Sequence, residues 1–266
     1  MEEPELYIFA GQDILLPPGT AGTAGTAGAR QRGPAHRPGA LALPSGALRR
    51  DFDWEGRPCA ALSLDEAQAA GIGLERVPLR QTLGMFEDAA LRPAIKAAAL
   101  VNWLSGAIHC GSCGGLLVDD DHESSGRRCT VCGRLHFPRI SPAVIVLIRR
   151  GEEALFARNA RFPGQRFGLV AGFVDPGESI EETVVREVRE ETGIEIADLR
   201  YLRSQSWPFP DSLMLAFTAA WASGEARPDG KEIVELRWCR PDGLPSIPPP
   251  GSVARWLVDE FVRGAI

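Results

Sequence analysis

The stretch that decides the fold runs from Gly172 to Ile194 and reads GFVDPGESIEETVVREVREETGI. Ser179 is followed three residues later by Glu182, which is the spacing of a capping box at the start of a helix. Gly193 is the residue type that most often ends one. These two signals together predict a helix from Ile180 to Thr192.

The two sides of this helix differ in chemistry. Apolar residues four positions apart form a side that would pack against a sheet: Ile180, Val184 and Val188. Glu187, Glu190 and Glu191 stand at i, i+3 and i+4, so their like charges share another side near the negative end of the helix dipole. A divalent cation would relieve this repulsion, and hard carboxylate oxygens suit Mg²⁺ or Mn²⁺. The alternative is a solvated acidic helix whose glutamates pair with Arg186 and Arg189.

The stretch matches the pattern G-x5-E-x7-R-E-U-x-E-E-x-G-U at every position, where U is a bulky apolar residue. By chance such a match occurs in a chain of this length with a probability on the order of one in a million. The stretch therefore resembles the Nudix box. The resemblance implies a metal-dependent hydrolase that cleaves a pyrophosphate bond.

The resemblance also implies roles for individual residues. Glu187 and Glu191 would bind the catalytic metal with help from Glu190, and the backbone carbonyl of Ala171 and the carboxylate of Glu232 would contribute further ligands. Supporting structural positions of the box are Gly172, Glu178, Arg186 and Gly193. One helix carboxylate would accept the proton of the attacking water; we expect Glu191, although the residues leave the choice open.

The sequence around the box alternates strands and helices. A continuous apolar run, Ala143 to Ile148, and a second one, Ala154 to Ala157, predict two buried strands joined by a turn. Further predicted strands and a last helix are Leu169 to Val174, Leu199 to Ser206, Leu213 to Ala222, Ile233 to Cys239 and the helix Val253 to Arg263. These elements predict an α/β/α sandwich with a mixed sheet, which is also the fold that the resemblance implies.

Two C-x2-C pairs precede this domain. The four cysteines, Cys110, Cys113, Cys129 and Cys132, have the spacing that offers four thiolates to one Zn²⁺. Four cysteines close the coordination shell, so the predicted site is structural. We expect His109, His122 and His136 to be bystanders. A ribbon of this kind can bind nucleic acid, but the spacer holds only two basic residues, Arg127 and Arg128, against four acidic ones.

A loop rich in aromatic residues and proline follows the box. It resembles the S-Q-P-W-P-F-P-x-S signature of the NADH pyrophosphatase branch, which is associated with removing NAD caps from RNA. Ser206 departs from that signature, which has proline there. The resemblance implies substrate contacts by these loop residues: Gln205, Ser206, Trp207, Pro208, Phe209, Pro210, Asp211 and Ser212. By position, it adds Arg80, Phe137, Phe173 and Ala254.

The implied reaction is hydrolysis of NADH or NAD⁺ to nicotinamide mononucleotide and AMP, with NAD-capped RNA as a further substrate. Members of the branch are homodimers, which we expect here as well. Two alternatives remain: a Nudix hydrolase of ADP-ribose or another nucleoside diphosphate derivative, and a zinc-ribbon nucleic-acid-binding protein with an inactive Nudix domain.

The totals of the chain favour a soluble cytoplasmic protein. Its 266 residues include 29 Lys and Arg against 35 Asp and Glu, a net charge of -6, so no overall positive charge drives binding to nucleic acid. The sequence shows neither a secretory signal nor an apolar run of membrane-spanning length. We predict a small α+β domain over residues 1–105 with a flexible insertion at about 17–44, a zinc ribbon over 106–137, and the Nudix domain over 138–266.

Overall fold

The structure is a computed structural model that describes residues 3–20, 33–37, 39, 41–123, 125–161 and 164–266. The chain forms two compact units. The first comprises Met1–Arg139 with Pro208–Pro210, and the second comprises Ile140–Trp207 with Asp211–Ile266. Within the described ranges, no helix combines the length and the apolar character needed to cross a membrane.

The first unit begins with a five-stranded sheet. Its strands are β1 (Glu5–Ala10), β2 (Asp13–Leu16), β3 (Leu48–Trp54), β4 (Arg57–Ser63) and β5 (Glu75–Pro78), in the order β3-β4-β1-β2-β5. Its helices are α1 (Glu66–Gly71), α2 (Leu79–Thr82) and α3 (Asp88–Gly106). Apolar residues of β1 and β4, including Leu6, Ile8 and Leu62, are fully buried in one core. The strands expected in residues 1–16 are thus present.

One feature of α3 differs from the sequence-based expectation. The apolar spacing of residues 87–104 suggests a helix with Pro93 in its first turn, but the helix begins at Asp88 and Pro93 lies inside it. Proline has no N–H to donate to the preceding turn, so its placement costs one helical hydrogen bond. Burial of Leu91, Ala94 and Ala98 against the sheet keeps the helix continuous.

The insertion predicted as flexible is only partly described. Residues 21–32, 38 and 40 lie outside the described residues. His36 is buried, forms a β-bridge with Leu6, and its Nε2 lies 2.7 Å from the carbonyl oxygen of Leu15. Leu41 and Leu43 pack against the core of the first sheet. At these described positions of the insertion, contacts with residues distant in sequence hold the chain against the first sheet.

Strands β6 (Leu117–Asp119), β7 (Arg127–Cys129) and β8 (Leu135–His136) form a small antiparallel sheet after α3. This sheet carries the cysteine pairs. Its core consists of Cys110, Leu117 and Cys129, with Ala107 packed against them. An apolar core of this size contributes little stability, so a segment this short needs a further crosslink such as a bound metal ion.

The second unit contains a six-stranded mixed sheet. Its strands are β9 (Ser141–Arg150), β10 (Glu153–Asn159), β11 (Val170–Phe173), β12 (Glu195–Trp207), β13 (Ser212–Ser223) and β14 (Ile233–Cys239). The order is β12-β13-β9-β10-β14, and β11 pairs with β9. The helices are α4 (Ile180–Thr192) and α5 (Val253–Val262). Each predicted strand and helix of this part is confirmed, with bounds that shift by a few residues.

Strand β9 explains why the sheet is covered on both faces. Val144, Val146 and Ile148 belong to the core that contains Val184 and Val188 of α4. The alternate residues Ile145 and Leu147 belong to the core that contains Leu257 and Phe261 of α5. Because successive side chains of a strand point to opposite faces, an uninterrupted apolar run requires a layer on each side. The α/β/α sandwich is confirmed.

Candidate active site

Helix α4 begins and ends where the sequence predicts. The Oγ of Ser179 accepts a hydrogen bond from the N–H of Glu182 at 3.2 Å, and the Glu182 carboxylate accepts one from the N–H of Ser179 at 2.8 Å. Gly193 ends the helix with a φ of 71°, and its N–H donates to the carbonyl of Arg189. These caps set both ends of α4. The helix packs against β11, which places the box carboxylates beside that strand.

Gly172 in β11 allows the helix to approach closely. A Cβ atom built at this position would lie 1.9 Å from Cδ and Oε1 of Glu187. The Glu187 carboxylate therefore occupies the space that any other residue at position 172 would fill. Its side chain is 13% exposed, and burial raises the pKa of Glu187. Any other residue at this position would displace the end of the Glu187 side chain from its place beside β11.

Arg186 holds the loop and the helix together. Its Nε and Nη2 donate to the two oxygens of Glu178 at 2.6 and 2.9 Å. Nη1 donates to Glu187 at 2.9 Å and to Glu190 at 3.1 Å, and Nη2 also donates to the carbonyl of Phe173 at 3.0 Å. All five N–H bonds of the guanidinium thus have acceptors on the protein. The Glu178–Arg186 ion pair implied by the resemblance is present.

Glu178 is the anchor of this cluster. Besides Arg186, its carboxylate accepts hydrogen bonds from the Oγ1 of Thr183 at 2.9 Å and from the N–H of Asp175 at 3.2 Å. The hydrogen bonds from Arg186, followed by those of Thr183 and Asp175, lower the pKa of Glu178 to about 2. The carboxylate is therefore ionised at any physiological pH and is committed to structure.

Glu191 lies in a different environment. Its side chain is 6% exposed, and among the described residues its Oε2 has no hydrogen-bond partner. Burial, followed by the charges of Glu187, Glu232 and Asp229, raises the pKa of Glu191 to about 8. The backbone N–H of Ala171 lowers it. A buried carboxylate without a partner is costly in a structural helix, and this excludes the solvated acidic helix as an account of Glu191.

Glu232 lies close enough to Glu187 and Glu191 for its charge to raise the pKa of both. Its own side chain is 53% exposed, and its Oε1 lies 4.0 Å from Nη2 of Arg161. Position 232 was selected only by resemblance, because a carboxylate at a strand edge is by itself unremarkable.

The carboxylates of the box are not gathered as closely as the thiols. Within the described part of the chain, only the four cysteines bring three or more ligand atoms within 4.8 Å of one another. Glu190 is 61% exposed and its carboxylate turns back to Arg186 at 3.1 Å. The arrangement nevertheless fits a divalent cation, because Glu191 presents an unpartnered buried oxygen and Glu187 fills a cradle that only glycine leaves open.

The four cysteines form a tetrad on the small sheet. The sulfur atoms of Cys110 and Cys132 lie 3.7 Å apart, and those of Cys113 and Cys129 lie 3.4 Å apart. A glycine at positive φ follows each cysteine pair directly: Gly114 comes after Cys113, and Gly133 comes after Cys132. Sulfur–sulfur distances of this size match the edges of a tetrahedral site around one ion.

Backbone amides prepare two of the thiols for metal binding. The hydrogen bond from the N–H of Ser112 lowers the pKa of Cys110 to about 5. Hydrogen bonds from the N–H groups of Cys132 and Val131 lower the pKa of Cys129. The imidazole of His136 lies near Cys110 and helps to lower its pKa. The donor set fits Zn²⁺.

In the second unit, several of the residues that the resemblance implies as substrate contacts are hydrogen-bonded to other residues of the protein or packed against its core. Gln205 donates from Nε2 to the carbonyl of Gly251 at 2.8 Å, and its Oε1 accepts from the N–H of Val253 at 2.7 Å. Asp211 accepts from the Oγ of Ser141 at 2.9 Å. Ser212 is buried, and Ala254, near the start of α5, is partly buried against the core. Gln205 thus fixes the start of α5.

Phe173 has the exposure expected of a stacking residue. It ends β11, one residue after Gly172, and its side chain is 55% exposed. Ser206 is exposed near the end of β12, and Trp207, the last residue of that strand, is half-buried.

The remaining implied contacts belong to the first unit. Phe137 follows the ribbon and is 52% exposed. The guanidinium of Arg80 lies over the ring of Phe209, 4.6 Å from its centroid, and Asn102 donates to the carbonyl of Pro208 at 3.4 Å. Pro210 is exposed, and the Phe209–Pro210 peptide bond is cis. Phe209 is therefore covered on one face by a cation.

Comparisons with known proteins agree with this site. A model of the NUDIX domain matches residues 139–257. The chain is 43% identical over 211 residues to NAD-capped RNA hydrolase NudC of Pseudomonas aeruginosa, an alignment that covers 79% of this chain and 74% of the relative. It is 38% identical to the protein of the same name in Stutzerimonas stutzeri, over 94% of both chains, and 44% identical to that of Chromobacterium violaceum, over 69% of both. The chain belongs to the Nudix hydrolase superfamily, in the branch of these NudC proteins.

Sequence reasoning missed one residue beside the site, Asp229. Its carboxylate accepts hydrogen bonds from the N–H groups of Lys231, Glu232 and Ile233. The Asp229-Gly230 dipeptide is a turn signal that could have drawn attention to it. The turn alone would not have revealed that the bonded residues include Glu232.

Proposed function

We propose that this protein hydrolyses the pyrophosphate bond of NADH and NAD⁺, releasing nicotinamide mononucleotide and AMP, and that it removes NAD caps from the 5′ ends of RNA. The observation that carries the proposal is an intact Nudix site in a chain that is 43% identical to a protein named NAD-capped RNA hydrolase. The proposal is supported by Glu187 packed at Gly172, by the buried Oε2 of Glu191 that has no partner among the described residues, and by Arg186 bound to Glu178.

The proposed metal ligands are Glu187, Glu190, Glu191, Glu232 and the carbonyl of Ala171, with Mg²⁺ or Mn²⁺ as the ion. A bound divalent cation would neutralise the pyrophosphate oxygens and lower the pKa of a water molecule. Arg186 holds Glu187 and Glu190 in place through hydrogen bonds of 2.9 and 3.1 Å. Glu178 fixes Arg186 in turn.

Glu191 is our candidate for the general base. It is the most buried of the box carboxylates, and it carries an oxygen without a partner among the described residues. A carboxylate whose proton affinity is raised by burial accepts a proton more readily than an exposed one. It would take the proton of the water molecule that attacks phosphorus.

The proposed substrate contacts fall into two groups. Phe173 and Phe137, both about half exposed, would stack on flat rings. The resemblance implies further substrate contacts by Arg80, Ser206, Trp207, Pro208, Phe209, Pro210, Asp211, Ser212 and Ala254, and Gln205 would contribute mainly by fixing the start of α5. These assignments rest on the resemblance and on the exposure of the aromatic rings.

The four cysteines would bind a structural Zn²⁺, with His136 supporting Cys110. We propose three functional domains, at residues 1–105, 106–137 and 138–266, and a homodimer in the cytoplasm, where thiols stay reduced.

The experiment that tests the proposal is product analysis with NADH, 5′-NAD-capped RNA and ADP-ribose at equal concentration, in Mg²⁺ and in Mn²⁺. The full-length protein is compared with Glu191→Gln and with Glu181→Gln, a matched control on the same helix that is exposed and lies in its first turn. We expect release of nicotinamide mononucleotide by the wild type and the control, and a loss of at least 100-fold in Glu191→Gln.

Preferential cleavage of ADP-ribose would replace the proposed substrate and keep the reaction class. Tight RNA binding without metal-dependent cleavage would favour the binding-module alternative. Equal rates for the wild type and Glu191→Gln would contradict the assigned role of the helix.

A further inference from the structure

The loop that leads into β14 is fixed by one side chain, that of Asp229. Its Oδ1 accepts hydrogen bonds from the N–H groups of Lys231, Glu232 and Ile233 at 3.2, 3.2 and 2.7 Å. Its Oδ2 lies 3.2 Å from the N–H of Glu232 as well. Gly230, with a φ of 74°, closes the turn by donating to the carbonyl of Ile233 at 3.0 Å. A single carboxylate oxygen thus binds three successive amides.

Both backbone polar groups of Glu232 are hydrogen-bonded. Its N–H is bound by Asp229, and its carbonyl oxygen accepts a hydrogen bond from the N–H of Ala160 at 2.8 Å. In contrast, the side chain of Glu232 is 53% exposed, and its Oε1 lies 4.0 Å from Nη2 of Arg161, its ion-pair partner. The backbone is therefore fixed while the carboxylate is left available for another partner.

The position of Glu232 indicates why its backbone is fixed. Its charge acts on both Glu187 and Glu191, so the three carboxylates lie close enough to interact electrostatically. The buried Oε2 of Glu191 has no hydrogen-bond partner among the described residues. Metal ligands bind best when their own supports are fixed in advance, because the ordering cost is then met by folding.

We propose that Asp229 is a positioning residue that fixes Glu232 for binding of the catalytic divalent cation. The inference rests on the proposed function, because it takes the ion site from there. Asp229 acts through the backbone of Glu232 and contributes no ligand of its own.

A rival role for Asp229 is electrostatic, since its negative charge could attract a cation directly. The two roles respond differently to substitution. In Asp229→Asn the amide oxygen can occupy the position of Oδ1 and keep all three backbone hydrogen bonds, while the charge is lost. In Asp229→Ala both the hydrogen bonds and the charge are lost.

The test measures the dissociation constant of Mn²⁺ by electron paramagnetic resonance on the full-length protein, together with the Mn²⁺ dependence of NADH hydrolysis. The variants are Asp229→Ala, Asp229→Asn and Asp242→Ala, which removes an exposed aspartate in the same unit. Asp229→Ala should weaken Mn²⁺ binding by about 10- to 100-fold, as other supports of metal ligands do. Asp229→Asn and Asp242→Ala should stay within a few-fold of the wild type.

A double-mutant cycle with Glu232→Ala completes the test. If Asp229 acts through Glu232, Asp229→Ala causes no further loss of Mn²⁺ affinity in the Glu232→Ala background. Additive losses, equal losses in the Ala and Asn variants, or wild-type affinity in Asp229→Ala would each overturn the proposal. If circular dichroism shows that Asp229→Ala does not fold, a tenfold loss in Asp229→Asn overturns it and retained affinity supports it. Wild-type protein that binds Mn²⁺ but cleaves no substrate would refute the proposed function instead.

Discussion

Substitution of Gly172 by alanine should separate folding from catalysis at the centre of the site. The added Cβ would lie 1.9 Å from the carboxyl group of Glu187. Ordinary carbon–oxygen contact requires Glu187 to retreat by about 1.5 Å, because non-bonded heavy atoms rest about 3.5 Å apart. Strand β11 is held in place by its pairing with β9, in which Gly172 lies opposite Val144.

Two magnitudes follow from this overlap. Because the overlapping atoms are the end of the flexible Glu187 side chain, which can turn away, the free energy of unfolding should fall by no more than about 1 kcal/mol. A misplacement of about 1 Å at a catalytic centre costs about 100-fold in rate. We therefore expect a folded Gly172→Ala variant that retains at most about 1% of the wild-type kcat on NADH.

The assay combines thermal unfolding with steady-state hydrolysis of NADH in Mn²⁺. The control is Gly243→Ala, where an added Cβ meets nothing within 4 Å and φ is not positive. A double variant, Gly172→Ala with Glu187→Ala, removes the overlap and should recover the lost stability without recovering activity. A Gly172→Ala variant with kcat within twofold of the wild type would refute the close packing of Glu187 against β11.

Three further predictions concern charge, metal and packing. In the metal-free protein, burial raises the pKa of Glu191 to about 8, so its contribution to stability is fully present below pH 4.5 and is lost as the pH rises through 8; Glu191→Gln should remove this part of the pH dependence in urea unfolding curves. Cys129→Ser should lower the zinc content of purified protein measured by atomic emission to well below one ion per chain, and normal zinc content would contradict the tetrad. Gln205→Ala should lower the free energy of unfolding by about 1–3 kcal/mol, because the carbonyl of Gly251 and the N–H of Val253 lose their partner. The KM for NADH should change less than threefold. A large rise in KM with unchanged stability would show instead that Gln205 contacts the substrate directly.

The parts of the fold that could be predicted from the sequence are those whose signals are local. The capping box of Ser179 and the glycine at 193 fixed both ends of α4, because each involves residues within one turn of the helix. The apolar run of β9 likewise predicted a strand covered on both faces. The four cysteines were predictable as a metal site because their spacing is itself the signal.

The features that escaped prediction depend on contacts between distant residues. His36 is ordered by Leu6 and Leu15, which composition around position 36 does not reveal. Similarly, Gln205 belongs to a loop signature, yet both ends of its amide bind the chain 46 to 48 residues later. The role of a polar side chain is set by the groups it meets, and a motif specifies only which side chain is present.

The charges of the site determine the order in which its partners can bind. Arg186 is the cation nearest to the box carboxylates, but each of its five N–H bonds already has an acceptor on the protein. It therefore has no donor left for a phosphate, and the negative charges of Glu187 and Glu232 would repel the two negative charges of a dinucleotide pyrophosphate. Substrate can enter productively only together with, or after, a divalent cation, so raising the Mn²⁺ concentration should lower the apparent KM for NADH.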